Sequence, residues 1–255
     1  MKLPILTTCV AALLMGSVTA NAAVVYTSGH ADIGVGFEDG GLHIHFHAED
    51  EIGTFGGGSL PAGEYDADAL VIGVPGPSVE RPAGSQWDFL AAAENDSIWF
   101  LPAQDNPNIP KPFLGIATEE LDAGDGWTTP LTWSFDSITT VSGDSSSLAI
   151  YNVDQFQNLD IKASSRIPTA DGNDWEQGAG GHDHFNFGFT GEGLYEVTLS
   201  ITGVNAGGNG IAAGEYSDTA TFRFATGSAI AAVPEPSSAL LLGLASAVCC
   251  LRRRR

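Results

Sequence analysis

His43, His45 and His47 occupy every second position of the stretch GLHIHFHAED. The chain contains six histidines. The other three are His30, just upstream, and His182 and His184 in GGHDHFNFGF, with none between residues 48 and 181. Side chains at i and i+2 of a strand share a face and are about 6.6 Å apart at the backbone. Two such imidazoles can converge on one cation with Zn–N distances of about 2.0–2.1 Å. His43 and His47, about 13 Å apart by the same rise, cannot easily share one. HIHFH therefore offers a pair plus a neighbour for a second ion, or part of a shell completed from another strand. The candidate ligands are His30, Asp32, His43, His45, His47, His182 and His184, more than one tetrahedral shell takes. One or two Zn²⁺ ions are the expectation, with Cu²⁺ the next choice, because imidazole and carboxylate without thiolate suit these metals better than Ca²⁺. The acidic runs EYDADAL (64–70) and DGND (171–174) resemble calcium loops in composition only.

Histidines act together only if the elements under them fix a common face. Asp39–Gly40 is a favoured hairpin turn dipeptide. Closing the chain there pairs Phe37 with Leu42, Val35 with Ile44 and Ile33 with Phe46, an apolar face. The same register puts Gly36 opposite His43, Gly34 opposite His45 and Asp32 opposite His47, so the histidines share the other face with two glycines that leave room. In the second group Phe185, Phe187 and Phe189 alternate with His184, Asn186 and Gly188, which places His182 and His184 away from the core. The two clusters are expected over one hydrophobic layer, with His182 and His184 completing a shell begun by the 43–47 strand. GHADIGVGFEDGGL and GHDHFNFGFTGEGL echo one another as far as the Gly-Leu.

Short alternating runs bounded by Gly and Pro, such as SIWFL, PLTWSFDSI and LYEVTLSITGV, are strand signals, and no long 3.6-residue period occurs between the terminal segments. The predicted fold is all-β, an immunoglobulin-like β-sandwich with long loops or an inserted segment. GEGLYEVTLSITG and YSDTATFRFA read as its last two strands, with Tyr195 as a tyrosine corner. Residues 73–87 and the Pro-rich LPAQDNPNIPKPF read as loops.

The ends have a different composition. Residues 1–23 have the Lys2 n-region, apolar core and Ala20–Asn21–Ala22 site of a signal peptide. At the other end Pro234, Glu235 and Pro236 precede a short apolar run and four arginines, a stop-transfer pattern. The predicted organisation is thus a signal peptide (1–23), a β-sandwich metal-binding domain (24–232) and a sorting segment (233–255). The three cysteines (Cys9, Cys249, Cys250) fall in the terminal segments. The domain between them has no disulfide, thiolate metal site or cysteine nucleophile. The chain carries 31 acidic against 10 basic residues, a net charge of −21. Only Arg81, Lys111, Lys162, Arg166 and Arg223 lie between the terminal segments, so the domain repels nucleic acid and concentrates cations. Nothing in the spacing gives a Ser/His/Asp arrangement or a dedicated general base, and no catalytic residue is assigned.

The C-terminal arrangement resembles the PEP-CTERM sorting signal of Gram-negative bacteria. The resemblance implies recognition by an exosortase and release or attachment at the cell surface, with the segment transiently in the membrane. GHADIGVGF and HDHFNFGFTGEGLYEV resemble a bacterial surface-anchored protein repeat and, more fully, PEP-CTERM proteins under the zinc-uptake repressor. That likeness covers roughly 50 residues, carries His30, Asp32, His182 and His184 as motif positions and leaves residues 50–180 unassigned. It implies a non-catalytic zinc-binding protein at the cell surface, in zinc acquisition or storage, with surface polysaccharide or a zinc uptake system as partner. Two alternatives stand beside it. One is a metal-dependent enzyme, since an open three-His zinc activates water and His-x-His strands occur in carbonic anhydrases and copper–zinc superoxide dismutases. The other is a structural matrix or adhesion protein.

Overall fold

The computed structural model describes residues 24–105, 110–166 and 172–233. The predicted signal peptide and the residues Pro234, Glu235 and Pro236 lie outside the described residues, as does Asp171 of the DGND run. In chain order the strands are β1 (Val24–Glu38), β2 (Gly41–Ala48), β3 (Ile52–Thr54), β4 (Ser59–Leu60), β5 (Gly63–Asp66), β6 (Leu70–Val74), β7 (Val79–Glu80), β8 (Ser97–Leu101) and β9 (Pro112–Ala117). They continue as β10 (Trp127–Gly143), β11 (Leu148–Val153), β12 (Leu159–Ser164), β13 (Asp174–Gln177), β14 (His182–His184), β15 (Asn186–Phe189), β16 (Gly193–Asn205) and β17 (Gly214–Thr226). Only three short 3₁₀ turns interrupt them among the described residues. The fold is all-β.

Two sheets divide these strands. The larger runs β13-β10-β16-β17-β6-β1-β2-β5, with β9 and β14 branching from β1; the smaller runs β12-β11-β15-β8-β7. Phe187 and Phe189 of the smaller sheet pack on Phe224 of β17, with ring centroids 6.2 and 5.3 Å apart. Around them Tyr26, Phe46, Trp133 and Tyr195 are fully buried. Immunoglobulin-like detail is not what organises the chain. β16 and β17 form the expected antiparallel pair, but β1–β6, β1–β9 and β6–β17 are parallel. The Tyr195 hydroxyl donates to the carbonyl of Asp144 at 3.0 Å, on a distant loop rather than a few residues upstream as a tyrosine corner requires. Residues 50–180, which the resemblance leaves unassigned, contribute strands to the larger sheet: β6 lies between β17 and β1, and β9 between β1 and β14.

β1 changes partners along its length. Val24–Tyr26 pair with Leu70–Ile72, and Gly29–Gly34 pair with Pro112–Ala117. Between these halves lies Gly29, whose φ of +102° is open to glycine and strained for other residues. Beyond it the hairpin follows the expected register residue for residue, from Asp32 opposite His47 to Phe37 opposite Leu42. Asp39 and Gly40 both have positive φ, +49° and +86°, the geometry of a type I′ turn. Ile33, Val35, Leu42, Ile44 and Phe46 are buried beneath it.

The run 182–189 departs from the expectation of one continuous strand. It breaks at Phe185: His182–His184 pair with β9 in the larger sheet, while Asn186–Phe189 pair with β8 and β11 in the smaller. The alternation survives the break, and Phe185, Phe187 and Phe189 are all buried.

Candidate metal centre

β5, β2, β1, β9 and β14 lie side by side in that order. Their outer face carries all six histidines, and the rings of His43, His45 and His47 follow one another at 5.7 and 6.2 Å. His182 and His184 do not join the 43–47 strand. Two strands, β1 and β9, separate β14 from β2, so the shell shared by these clusters gives way to two separate groups of donors.

The first group is His30, Asp32, His182 and His184, whose ligand atoms all lie within 4.8 Å of one another. His30 Nε2 is 3.2 Å from His184 Nε2 and 3.6 Å from Asp32 Oδ1. His182 Nε2 is 3.0 Å from the same Oδ1. Four donors about 2.0–2.1 Å from a zinc ion stand roughly 3.3–3.4 Å apart along the edges of their tetrahedron, and these three separations bracket that value.

Asp32 is fully buried, yet neither carboxylate oxygen accepts a hydrogen bond; the 3.0 Å approach of His182 lacks hydrogen-bond geometry. Among the described residues no lysine or arginine comes within 4 Å of it, and its close cationic candidates are His30 and His182. A buried carboxylate left this way is costly without a positive partner. Burial raises its pKa from the ordinary value, and the neighbouring His182 and His30 work against that rise.

The rings are oriented from behind. His30 Nδ1 is 2.9 Å from Glu49 Oε2, and His182 Nδ1 is 3.1 Å from Glu119 Oε2. A carboxylate on one imidazole nitrogen fixes the tautomer that offers the other nitrogen's lone pair to a metal. His184 stacks flat on Phe113 with centroids 3.7 Å apart. Burial first, then the nearby His182 and His30, push its pKa down to about 4. His184 therefore stays neutral and able to ligate at neutral pH.

Gly115, in β9, is the floor of the group. A Cβ there would stand 2.0 Å from Asp32 Oδ1 and 3.1 Å from both His182 Nε2 and His184 Cε1. A cavity of about 400 Å³, lined in part by Asn152, Asp154, Asp160 and His184, opens alongside.

Residues 232–255 match the PEP-CTERM protein-sorting motif. The chain is a PEP-CTERM-sorted protein. An exosortase recognises that motif during sorting, and it marks the protein for export and delivery to the cell surface. Neither the curated proteins nor the solved structures offer a match to the chain.

Glu49, Glu119 and Glu120 of this PEP-CTERM protein are not among the candidate ligands read from the sequence, and Glu64 stands out there only as part of the acidic run 64–70. Glu49 and Glu119 join Asp32 and His182 in a further set of donor atoms within 4.8 Å. Glu119 and Glu120 follow β9 on a turn closed by the Leu121 amide donating to the Thr118 carbonyl at 3.0 Å. Thr118 is fully buried. Its amide donates to the Gly181 carbonyl at 2.8 Å, and its Oγ1 accepts from the Gly181 amide at 3.0 Å. The turn is thereby fixed beside His182. The available signal was the pair Glu119–Glu120 directly after an apolar strand containing Gly115.

The 43–47 strand faces carboxylates instead of a shared centre. His45 is almost wholly buried, with Nε2 3.0 Å from Glu120 Oε1 and Nδ1 3.2 Å from the His43 carbonyl. His47 Nδ1 lies 3.4 Å from Glu120 Oε1 and 3.8 Å from Glu119 Oε1, between the two groups. His43 stands at the hairpin end, 3.6 Å from Glu38 Oε2.

Proposed function

We propose that this exported, surface-sorted protein binds a zinc ion through His30, Asp32, His182 and His184, and that it holds zinc for storage or acquisition rather than for catalysis. The observation that carries the reading is the buried Asp32 carboxylate, without a hydrogen bond, in a group with three imidazoles whose ligand atoms all lie within 4.8 Å of one another, three of the separations being close to tetrahedral edges. Glu49 and Glu119 behind two of the rings support it, since ligating histidines are commonly held this way. A shell of four protein ligands is that of a closed site; catalytic zinc keeps a position for water or substrate. The domain reading, a metal-binding β-sandwich between an export and a sorting segment, belongs to the same proposal.

The test is zinc content and affinity of the processed protein, measured by elemental analysis and by competition with a chelator at neutral pH. Saturable binding is expected, with the ion at this site lost in Asp32→Asn. An absence of saturable binding at neutral pH overturns the reading. Turnover of a hydrolytic substrate by the zinc-loaded protein would favour the enzyme alternative instead.

A further inference from the structure

We infer that the outer face holds a second divalent-cation site, centred on His45, Glu64 and Glu120, distinct from the first and more open to solvent. It deepens the zinc reading but stands on its own observations. His45, Glu64 and Glu120 offer one donor atom each within 4.8 Å of one another. They come from β2, β5 and the turn after β9, so three separate elements converge there.

The donors are preset. His45 Nδ1 is engaged by the His43 carbonyl at 3.2 Å, which leaves Nε2 as the nitrogen facing Glu120 at 3.0 Å. A backbone carbonyl on the far nitrogen selects the tautomer whose other nitrogen can ligate. Glu64 sits opposite His47 in the β2–β5 pairing, and so projects onto the same face. His47 adds a fourth donor nearby: its Nδ1 is shielded from solvent and makes no hydrogen bond, and it lies 3.4 Å from Glu120 Oε1.

The backbone leaves room for this group as it does for the first. A Cβ on Gly36 would stand 2.8 Å from Glu120 Oε2, and one on Gly34 would stand 3.1 Å from His45 Nε2. Two glycines of β1 thus clear space for a carboxylate and an imidazole that come from elsewhere in the chain. Among the described residues no lysine or arginine lies within 4 Å of Glu64 or Glu120, and the ion-pair contacts of Glu120 are with His45 and His47 alone.

The chemistry differs from that of the first group. One buried imidazole, two exposed carboxylates and a flanking His47 make a harder, wetter donor set, which suits a divalent ion that keeps bound water. Such an ion exchanges faster than one enclosed by three imidazoles and a buried aspartate. Glu119 and Glu120 are neighbours on one turn and face opposite ways, Glu119 toward His182 and Glu120 toward His45. The face therefore pairs a holding site with an exchange site.

The full chain, processed by its own export and sorting route, is titrated with Zn²⁺ alone, alongside three variants: Glu64→Gln, Glu120→Gln and Asp32→Asn. Glu64 is exposed and the Glu120 side chain is 26 % exposed; glutamine matches glutamate in shape at both positions, and far-UV circular dichroism checks that each variant folds. The expected result is two ions per chain in the parent. Glu64→Gln or Glu120→Gln should weaken the second step about tenfold or more and leave the first unchanged; the factor is on the scale seen when a metal site loses a carboxylate partner. A single ion, lost in Asp32→Asn and indifferent to Glu64→Gln and Glu120→Gln, overturns the second site and leaves the first standing. A single ion lost in the glutamate variants and kept in Asp32→Asn upholds the second site and overturns the first. Two ions, neither sensitive to Glu64 or Glu120, overturn the second site at these residues. No binding at all overturns both.

Discussion

His182–His184 and His43–His45 are alike on paper: imidazoles two residues apart on a strand whose other face is apolar. The fold gives them different company. β14 lies one strand away from β1, across Gly115, so three imidazoles gather on one buried, unpaired carboxylate. β2 lies beside β1 and β5, and its histidines meet glutamates, His43 facing Glu38 while His45 and His47 share Glu120. In the first group the central carboxylate is fully buried, with Glu49 and Glu119 behind the rings; in the second every carboxylate is more open to solvent. Histidine spacing decides which rings share a face. The neighbouring strand decides which carboxylates they meet and how deeply those are buried.

The strongest way to break this comparison is to fill the floors. Gly115→Ala would drive a methyl into Asp32 Oδ1. Zinc binding at the first group should vanish, and stability should fall by about 1–3 kcal/mol, as overpacking a close-packed region does. Gly36→Ala crowds the end of the flexible Glu120 side chain at 2.8 Å and touches His45 Cε1 at an ordinary 3.7 Å. It should leave the first ion in place and weaken only the second. Equal losses in both variants, read by zinc titration and thermal melts, would erase the distinction.

Next in size is Asp32→Asn. The amide can donate to a neighbouring imidazole nitrogen, so it relieves the unpaired buried carboxylate while removing a ligand. The metal-free variant should be more stable by about 1–3 kcal/mol, the scale of an unsatisfied buried group. Its zinc affinity should drop by roughly 100-fold or more, beyond the 10–100-fold typical of an outer partner. Melting with and without zinc reads both. A metal-free variant less stable than the parent would show that Asp32 is already satisfied.

The sequence disclosed one of these two groups more fully than the other. The hairpin was legible because alternation, a turn dipeptide and two glycines all agreed on one register, and any slip would bury the histidines. The all-β class followed from short alternating runs. The pairing of His30 and Asp32 with His182 and His184 was not legible, since it depends on β9, a histidine-free segment that enters between two strands far from it in the chain. Glu119 and Glu120 looked like ordinary acids in a chain rich in them; only the buried Thr118 lock gives them a place. The break at Phe185 was hidden because both sheets bury the same face of that run.

Outer carboxylates should give a smaller effect. Glu49→Gln and Glu119→Gln should each weaken zinc at the first group by about 10–100-fold. Glu120→Gln, one residue along, should leave that step alone. Identical behaviour of Glu119→Gln and Glu120→Gln would mean the turn serves a single centre.

The smallest effect is a pH response in the metal-free protein. Burial works to lower the pKa of His45, but the Glu120 hydrogen bond and charge outweigh it and leave it above the ordinary 6.5. Glu120 is held below its ordinary 4.5, chiefly by the same hydrogen bond. A raised histidine stabilises the fold below its unfolded value and loses that contribution as pH climbs through the raised one. A lowered glutamate does so above its unfolded value and loses it as pH falls through the lowered one. The pair therefore contributes fully between about pH 4.5 and 6.5 and fades on either side. Imidazole titration by NMR should show the His45 midpoint falling in Glu120→Gln. A midpoint that does not move would separate the two residues.

His30 and His184 meet across 154 positions of sequence, in a chain whose cysteines are confined to positions 9, 249 and 250. An ion joining them would be a cross-link closing a loop of that length. By the chain-entropy argument applied to disulfides, such a closure removes about 5 kcal/mol of unfolded-state freedom. Unlike a disulfide, this fastening would ignore the redox state outside the cell and answer to metal supply. A surface protein built this way would grow tougher when zinc is plentiful and easier for proteases to open when it is not.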